Sequence, residues 1–293
     1  MKQNKPNTPN KAKNIPKIPR SVIIPGKILQ SIAPPLATKY AIKLFTTPIK
    51  YKTPEREQIM AKSAQKEMLF IPELNKKVMV YTYGYSKKKV LLVHGWSGRG
   101  TQLYKIADKL LENGFMTISF DAPAHGKSEG KKTMMTEFIA ASNYIEKKYG
   151  PFEYAIGHSL GGMTVLNNIK QGLAIKKAIV IGAGDIITDI FNVFVSKIEL
   201  NQKIVPRMKR YFLNKFGEDV DNYSASLAAK EVKIPTLIIH DEEDKEVTVS
   251  CAHNIRQNTK QGELLITKGL GHTRILKDDF VVDSIIEFIK RNP

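Results

Sequence analysis

Short apolar runs at residues 90–93, 116–120, 154–156, 178–181, 236–239 and 264–267 carry no polar alternation. Runs of that kind suit strands buried on both faces, which occur in parallel sheets covered by helices. Helix-period patterns fill the intervals at residues 101–112, 133–148, 160–171, 250–257 and 278–290, and Gly114, Gly150 and Gly172 close the first three. Repeated strand and helix predicts an α/β chain, with a mostly parallel sheet and helices on both faces. Ligand chemistry in such sheets gathers outside the carboxyl ends of the strands, which fixes the loops to search.

Three stretches depart from that rhythm. Residues 68–71 and 78–83, with Asn75 and Lys76 between them, read as an antiparallel pair. Residues 185–233 separate two buried runs and hold helical patterns at 186–198 and 204–216, an excursion long enough to form a helical cap over the strand ends. Before the sheet, residues 1–27 are rich in Lys, Asn and Pro and are expected to be a disordered basic tail. Residues 28–67 form an amphipathic or helical extension, with Thr53-Pro54-Glu55 reading as an N-cap, first helical position and first-turn acid. That leaves residues 68–292 as the main body of the chain.

Charge sharpens the division. The formal net charge is +18, yet residues 1–54 hold eleven Lys or Arg and no acid, leaving only +7 for the rest. The excess belongs to the N-terminal segment and suggests peripheral contact with an anionic membrane through residues 1–54. Residues 28–45 are too interrupted by proline and lysine to span a bilayer. Nucleic acid is not the expected partner, because no aromatic residue precedes Tyr40 to stack on bases. One cysteine, Cys251, allows neither an intramolecular disulfide nor a thiolate cluster and is compatible with a cytoplasmic protein. No H-E-x-x-H, C-x-x-C or Walker-type loop occurs, so no cofactor or metal is expected.

The densest chemistry lies in Gly157-His158-Ser159-Leu160-Gly161-Gly162, where a buried run passes without a spacer into a helix pattern. A serine at that corner sits on a strained turn above the first N–H groups of a helix, and the glycines remove side chains that would collide as strand and helix close. Leu160 N–H is one candidate donor to a developing oxyanion. Trp96 N–H, in the loop His94-Gly95-Trp96-Ser97-Gly98 after a buried run, is the second. Serine needs a base and the base needs an orienting acid. His272, in the glycine-rich loop after residues 264–267, is the expected base. Asp244, just past residues 236–239, is the favoured acid, with Asp241 its rival. His94 and His158 read as packing residues, and Asp121 as a holder of backbone N–H groups in the turn at residues 120–128.

Together these motifs, in this order, resemble the alpha/beta hydrolase superfamily, in its branch of small capped serine esterases and monoacylglycerol lipases. The resemblance spans about residues 68–292. It implies the alpha/beta hydrolase fold with a small helical cap at about residues 185–233. It also implies a Ser159, Asp244 and His272 triad, an oxyanion hole at Trp96 and Leu160, and cleavage of a small-molecule ester or acyl lipid through an acyl-enzyme. A thioesterase, acyltransferase or peptidase on the same fold, or a non-catalytic membrane-associated binding protein, are the alternatives. Ala124 stands where many relatives have glycine. Ser159 stands where haloalkane dehalogenases have aspartate, and Leu160 where proline iminopeptidases tend to have tryptophan. Within the cap, Ile186, Ile190, Phe191, Phe194 and Phe212 are expected to meet an acyl chain, and Arg207, Lys209 and Arg210 an anionic head. Truncation before Thr53 is expected to spare the chemistry.

Overall fold

Eight strands form one sheet in the computed structural model, which describes residues 18–291. They are β1 (Gln65–Ile71), β2 (Lys76–Tyr83), β3 (Lys89–Val93), β4 (Met116–Phe120), β5 (Tyr154–His158), β6 (Lys177–Ile181), β7 (Thr236–Asp241) and β8 (Gly262–Thr267). Their order across the sheet is β1-β2-β4-β3-β5-β6-β7-β8. β2 runs antiparallel to β1 and β4, and every other pairing is parallel. The β1–β2 connection is tight because Asn75 adopts a left-handed φ of 48°, which asparagine tolerates better than most residues.

Helices α1 (Arg20–Ile32), α2 (Pro34–Phe45) and α3 (Gln58–Ser63) precede the sheet. α4 (Tyr104–Glu112), α5 (Met135–Tyr149) and α6 (Leu160–Lys170) follow β3, β4 and β5 in turn. Between β6 and β7 lie α7 (Ile187–Lys197), α8 (Ile204–Phe216) and α9 (Ala225–Ala229), and the chain continues through α10 (Val249–Asn258), α11 (Gly271–Arg274) and α12 (Asp279–Lys290). No described helix is long and apolar enough to cross a membrane.

The absence of alternation in the strands now has its cause. Val90 and Leu92 of β3 pack with α4 and α12, while Leu91 and Val93 face the layer of α5 and α6, so every position is buried. Gly157 and Gly161 mark where β5 and α6 cross: a Cβ on Gly157 would lie 2.2 Å from the Gly161 carbonyl oxygen, and one on Gly161 only 2.1 Å from that of Val93.

The N-terminal segment differs from expectation. Disorder expected through residue 27 gives way to a helix from Arg20, and the part of that expectation covering residues 1–17 lies outside the described residues. Tertiary contact overrides local composition here. Gly26 lets Leu200 and the Tyr40 ring approach closely, and Tyr40 Oη donates to the Val22 carbonyl at 2.8 Å. Ala37, Ala41 and Ile42 of α2 are buried with Phe191, Val195 and Met208 of the cap. The hairpin of α1 and α2 is thus a third and fourth cap helix. Conversely α9, inside the expected cap interval, packs with α6 and α10 against the sheet. Thr53 does not cap a helix. The chain makes a 3-10 turn at Glu55–Glu57 before α3, because Glu57 is drawn into a buried ion pair with Arg99.

Candidate active site

Ser159 joins β5 to α6 at φ 54° and ψ −120°, a conformation that costs a non-glycine residue on the order of 1–3 kcal/mol. The turn is held by the Ser159 N–H, which donates to the Ile181 carbonyl at 2.8 Å, and by the glycine contacts just described. Gly95 presses the following loop onto this corner, since a Cβ there would stand 3.0 Å from Ser159 Cβ. Trp96 sits in that loop, and among the described residues neither its N–H nor that of Leu160 donates to a protein acceptor. Both groups remain available to an oxygen at the elbow.

Two sequence-predicted residues meet directly. His272 Nδ1 donates to Asp244 Oδ2 at 2.7 Å. That bond assigns the proton to Nδ1 and leaves Nε2, which bonds no described residue, as the basic nitrogen. Asp244 Oδ1 accepts from the Glu246 and Val247 N–H groups at 2.8 and 3.0 Å, so the carboxylate is fixed at both oxygens. Burial pushes the Asp244 carboxyl up, but the His272 bond and the two N–H donors outweigh it and hold it below the usual carboxylate value. His272 stands across Gly182 from the elbow: a Cβ on Gly182 would be 3.4 Å from His272 Nδ1, and Gly182 follows the residue that binds Ser159 N–H. No hydrogen bond joins Ser159 Oγ to the imidazole, a contact that in unliganded hydrolytic sites often tightens only with substrate.

Asp241, the rival acid, has another task. Its Oδ2 accepts from Thr267 Oγ1 at 2.8 Å and from Leu270 N–H at 2.9 Å, so it braces the loop that carries His272. His158 works on the same loop from the other side, its Nε2 donating to the His272 carbonyl at 2.9 Å. Burial, then the neighbouring His272, pushes His158 down to about 3, so it remains neutral. His94 is likewise a packing residue. Its Nδ1 donates to the Gly95 carbonyl at 2.7 Å and its Nε2 accepts from Ala122 N–H at 3.0 Å, and burial holds it well below its ordinary value. Asp121 gathers N–H groups as expected, from Gly100 at 2.7 Å and Lys127 at 2.8 Å. Ala124, in the same turn, adopts φ 65°.

Several residues around the Trp96 loop take roles that the sequence did not assign to them. His125 Nε2 accepts from Ser97 N–H at 2.9 Å. Glu57 holds Arg99, and Ser97 Oγ accepts from Ile49 N–H at 3.0 Å. Phe45 lies 6.4 Å from the Trp96 ring and packs edge-on against Phe191 and Phe194. The N-terminal segment therefore builds part of the cavity wall, which argues against the expectation that truncation before Thr53 spares the chemistry.

A cavity of about 660 Å³ opens at Ser159. Ile186, Ile190, Phe191 and Phe194 line it as expected, joined by Leu44 and Phe45. Phe212 does not; it is buried behind Phe191, with ring centroids 5.6 Å apart. Arg207, Lys209 and Arg210 are also absent from the wall, and Lys209 is bound to Asp221 at 2.7 Å. The charged side chains of the lining are instead largely acidic, with Asp185, Asp189, Glu218 and Glu246 against Lys197.

A strained serine elbow on the central strand of this sheet order, with acid and histidine loops after later strands, defines an alpha/beta hydrolase fold. Residues 88–214 match the family model described as alpha/beta hydrolase fold. The chain is 22% identical over 245 residues to an AB hydrolase superfamily protein, YisY, of Bacillus subtilis (strain 168), covering 68% of this chain and 90% of that one. Among solved structures, an esterase from Pyrococcus furiosus superposes with a TM-score of 0.63 at 18% identity, covering 84% of this chain and 97% of that one. An esterase from Exiguobacterium antarcticum gives 0.61 at 17% identity, with 78% and 100% covered. The chain has the alpha/beta hydrolase fold and is similar to proteins of that superfamily.

Proposed function

We propose that the chain is a serine hydrolase of the capped, lipase-like kind that cleaves carboxylic esters through an acyl-enzyme. The observation that carries the reading is the 2.7 Å His272–Asp244 bond beside a positive-φ serine at the floor of an apolar cavity. His272 Nε2 takes the Ser159 proton as Oγ attacks the ester carbonyl. The oxyanion forms between the Trp96 and Leu160 N–H groups, and a proton from the imidazolium releases the alcohol. Water, deprotonated by the same nitrogen, then hydrolyses the acyl-enzyme and restores Ser159. Asp244 stabilises the imidazolium throughout without accepting its proton.

The walls favour a neutral acyl group. Leu44, Phe45, Ile190 and Phe194 offer only apolar surface, and the excess of acidic over basic side chains in the lining disfavours a carboxylate or phosphate head. Arg207, Lys209 and Arg210, away from the wall, form no cationic clamp on an anionic head. A fluorophosphonate probe tests the nucleophile: wild type is labelled and Ser159→Ala is not. Equal labelling, or wild-type inertness toward a panel of p-nitrophenyl esters in a folded protein, removes the assignment.

A further inference from the structure

Ile24, Ile28 and Ile32 stand at four-residue spacing on α1, so they form one row along its outer face. They are 51%, 55% and 75% exposed, and Leu36, at the start of α2, is 50% exposed. The opposite face of α1, with Ile23 and Gly26, is the one buried against the cap. Arg20 heads the row at the same spacing, and Lys39 and Lys43 follow Leu36 at three and seven residues along α2. Neither lysine pairs with a carboxylate among the described residues. The chain ahead of α1 brings Lys2, Lys5, Lys11, Lys13 and Lys17 and no acid.

We propose that this face of the α1–α2 hairpin docks on an anionic phospholipid surface. An apolar row flanked by cations matches the two layers of such a surface, apolar groups entering the acyl boundary and cations meeting the phosphates. Other occupants match it less well. A second copy would set two basic faces against each other, and four apolar side chains fall far short of the roughly 20–30 residues a side of a standard protein interface. A nucleic acid would find aliphatic groups where base stacking needs aromatic ones. Docking there also sets the site close to the lipid. From Leu36 to Phe45, which lines the cavity, α2 rises only about 13 Å.

The test uses the full-length protein and vesicles of phosphatidylcholine with or without 30% phosphatidylserine, in a sedimentation assay at about 0.05 M salt. Wild type is expected to bind the anionic vesicles and not the neutral ones. Ile28→Asp/Ile32→Asp and Lys39→Glu/Lys43→Glu should each lower the partition coefficient at least tenfold, with an unchanged melting temperature and unchanged hydrolysis of a soluble short-chain ester. Ser159→Ala should bind as wild type does, so vesicle binding and the proposed chemistry fail separately. Wild type that ignores anionic vesicles, or either double variant binding like wild type, overturns the proposal. So does a wild-type dimer that the isoleucine variant splits, or displacement from vesicles by an oligonucleotide that both variants still bind.

Discussion

Replacing Glu57 with alanine should damage both stability and the oxyanion loop, although Glu57 lies far from the elbow in sequence. Both Glu57 carboxylate oxygens stand 3.0 Å from Arg99 Nη1, and Oε2 accepts from Thr101 Oγ1 at 2.7 Å. The two side chains are only 3% and 11% exposed, so the alanine variant leaves a guanidinium and a hydroxyl buried without their partner. Breaking a buried pair from one side costs about 3–5 kcal/mol. For a chain of 293 residues, with an unfolding entropy of about 0.6 kcal/mol/K, that lowers the melting temperature by about 5–8 °C. Replacing both partners with apolar groups, Glu57→Leu/Arg99→Met, should recover most of the loss, because no charge is then stranded. Scanning calorimetry on wild type, both single variants and the double variant closes the cycle. Ester hydrolysis near 25 °C should fall through kcat more than KM, since Arg99 follows Trp96 in the loop. A Glu57→Ala shift under about 2 °C, or a double variant no better than the sum of the singles, would refute the account of this pair.

Asp244→Asn should keep the fold and lower kcat about 10³–10⁴-fold by favouring the wrong imidazole tautomer, while Asp241→Asn should act more weakly, through the loop; steady-state kinetics that rank them the other way would exchange their roles. Stability should fall from about pH 6.5 toward pH 4, because burial, first among the causes, pushes His125 down to about 4 and His158 to about 3. The unfolded chain binds protons at both from about pH 6.5, so each contributes stability above that value that is lost on acidification, on the order of 3 kcal/mol at His125. Urea midpoints that stay flat from pH 7 to 4.5 would contradict this. Phe45→Ala should open the cavity wall and shift preference toward longer acyl chains in a p-nitrophenyl ester series; an unchanged profile would remove Phe45 from the wall.

What could be read from the sequence follows from how strongly burial constrains each residue. The runs of β3 to β7 were visible because strands covered on both faces leave few polar positions to interrupt them, while β8, at the sheet edge, is only partly buried. The elbow was visible because only glycine fits at residues 157 and 161, so the collision is written in the residue types. Asp241 and Asp244 could not be told apart by spacing. Both follow β7, and the choice depends on which carboxylate turns to the imidazole and which to the loop. Only the start of the hairpin, residues 20–27, was misread, because Pro25 and a polar lead-in look like a disordered tail, while the buried face there offers little more than Ile23 and Gly26. Glu57 gave no warning. A single buried acid in a polar stretch becomes recognisable only once Arg99 is seen beside it.

Because Phe45 touches Trp96 as well as Phe191 and Phe194, and because the nearby Ile49 N–H is tied to Ser97, the wall over the cavity is assembled from two distant parts of the chain. Such a wall cannot lift as a single flap hinged between β6 and β7. Any outward swing of α7 and α8 must either leave Phe45 behind, exposing its ring, or drag the Trp96 backbone with it. Under the proposed function, admission of substrate and the position of the Trp96 N–H are in this way mechanically coupled.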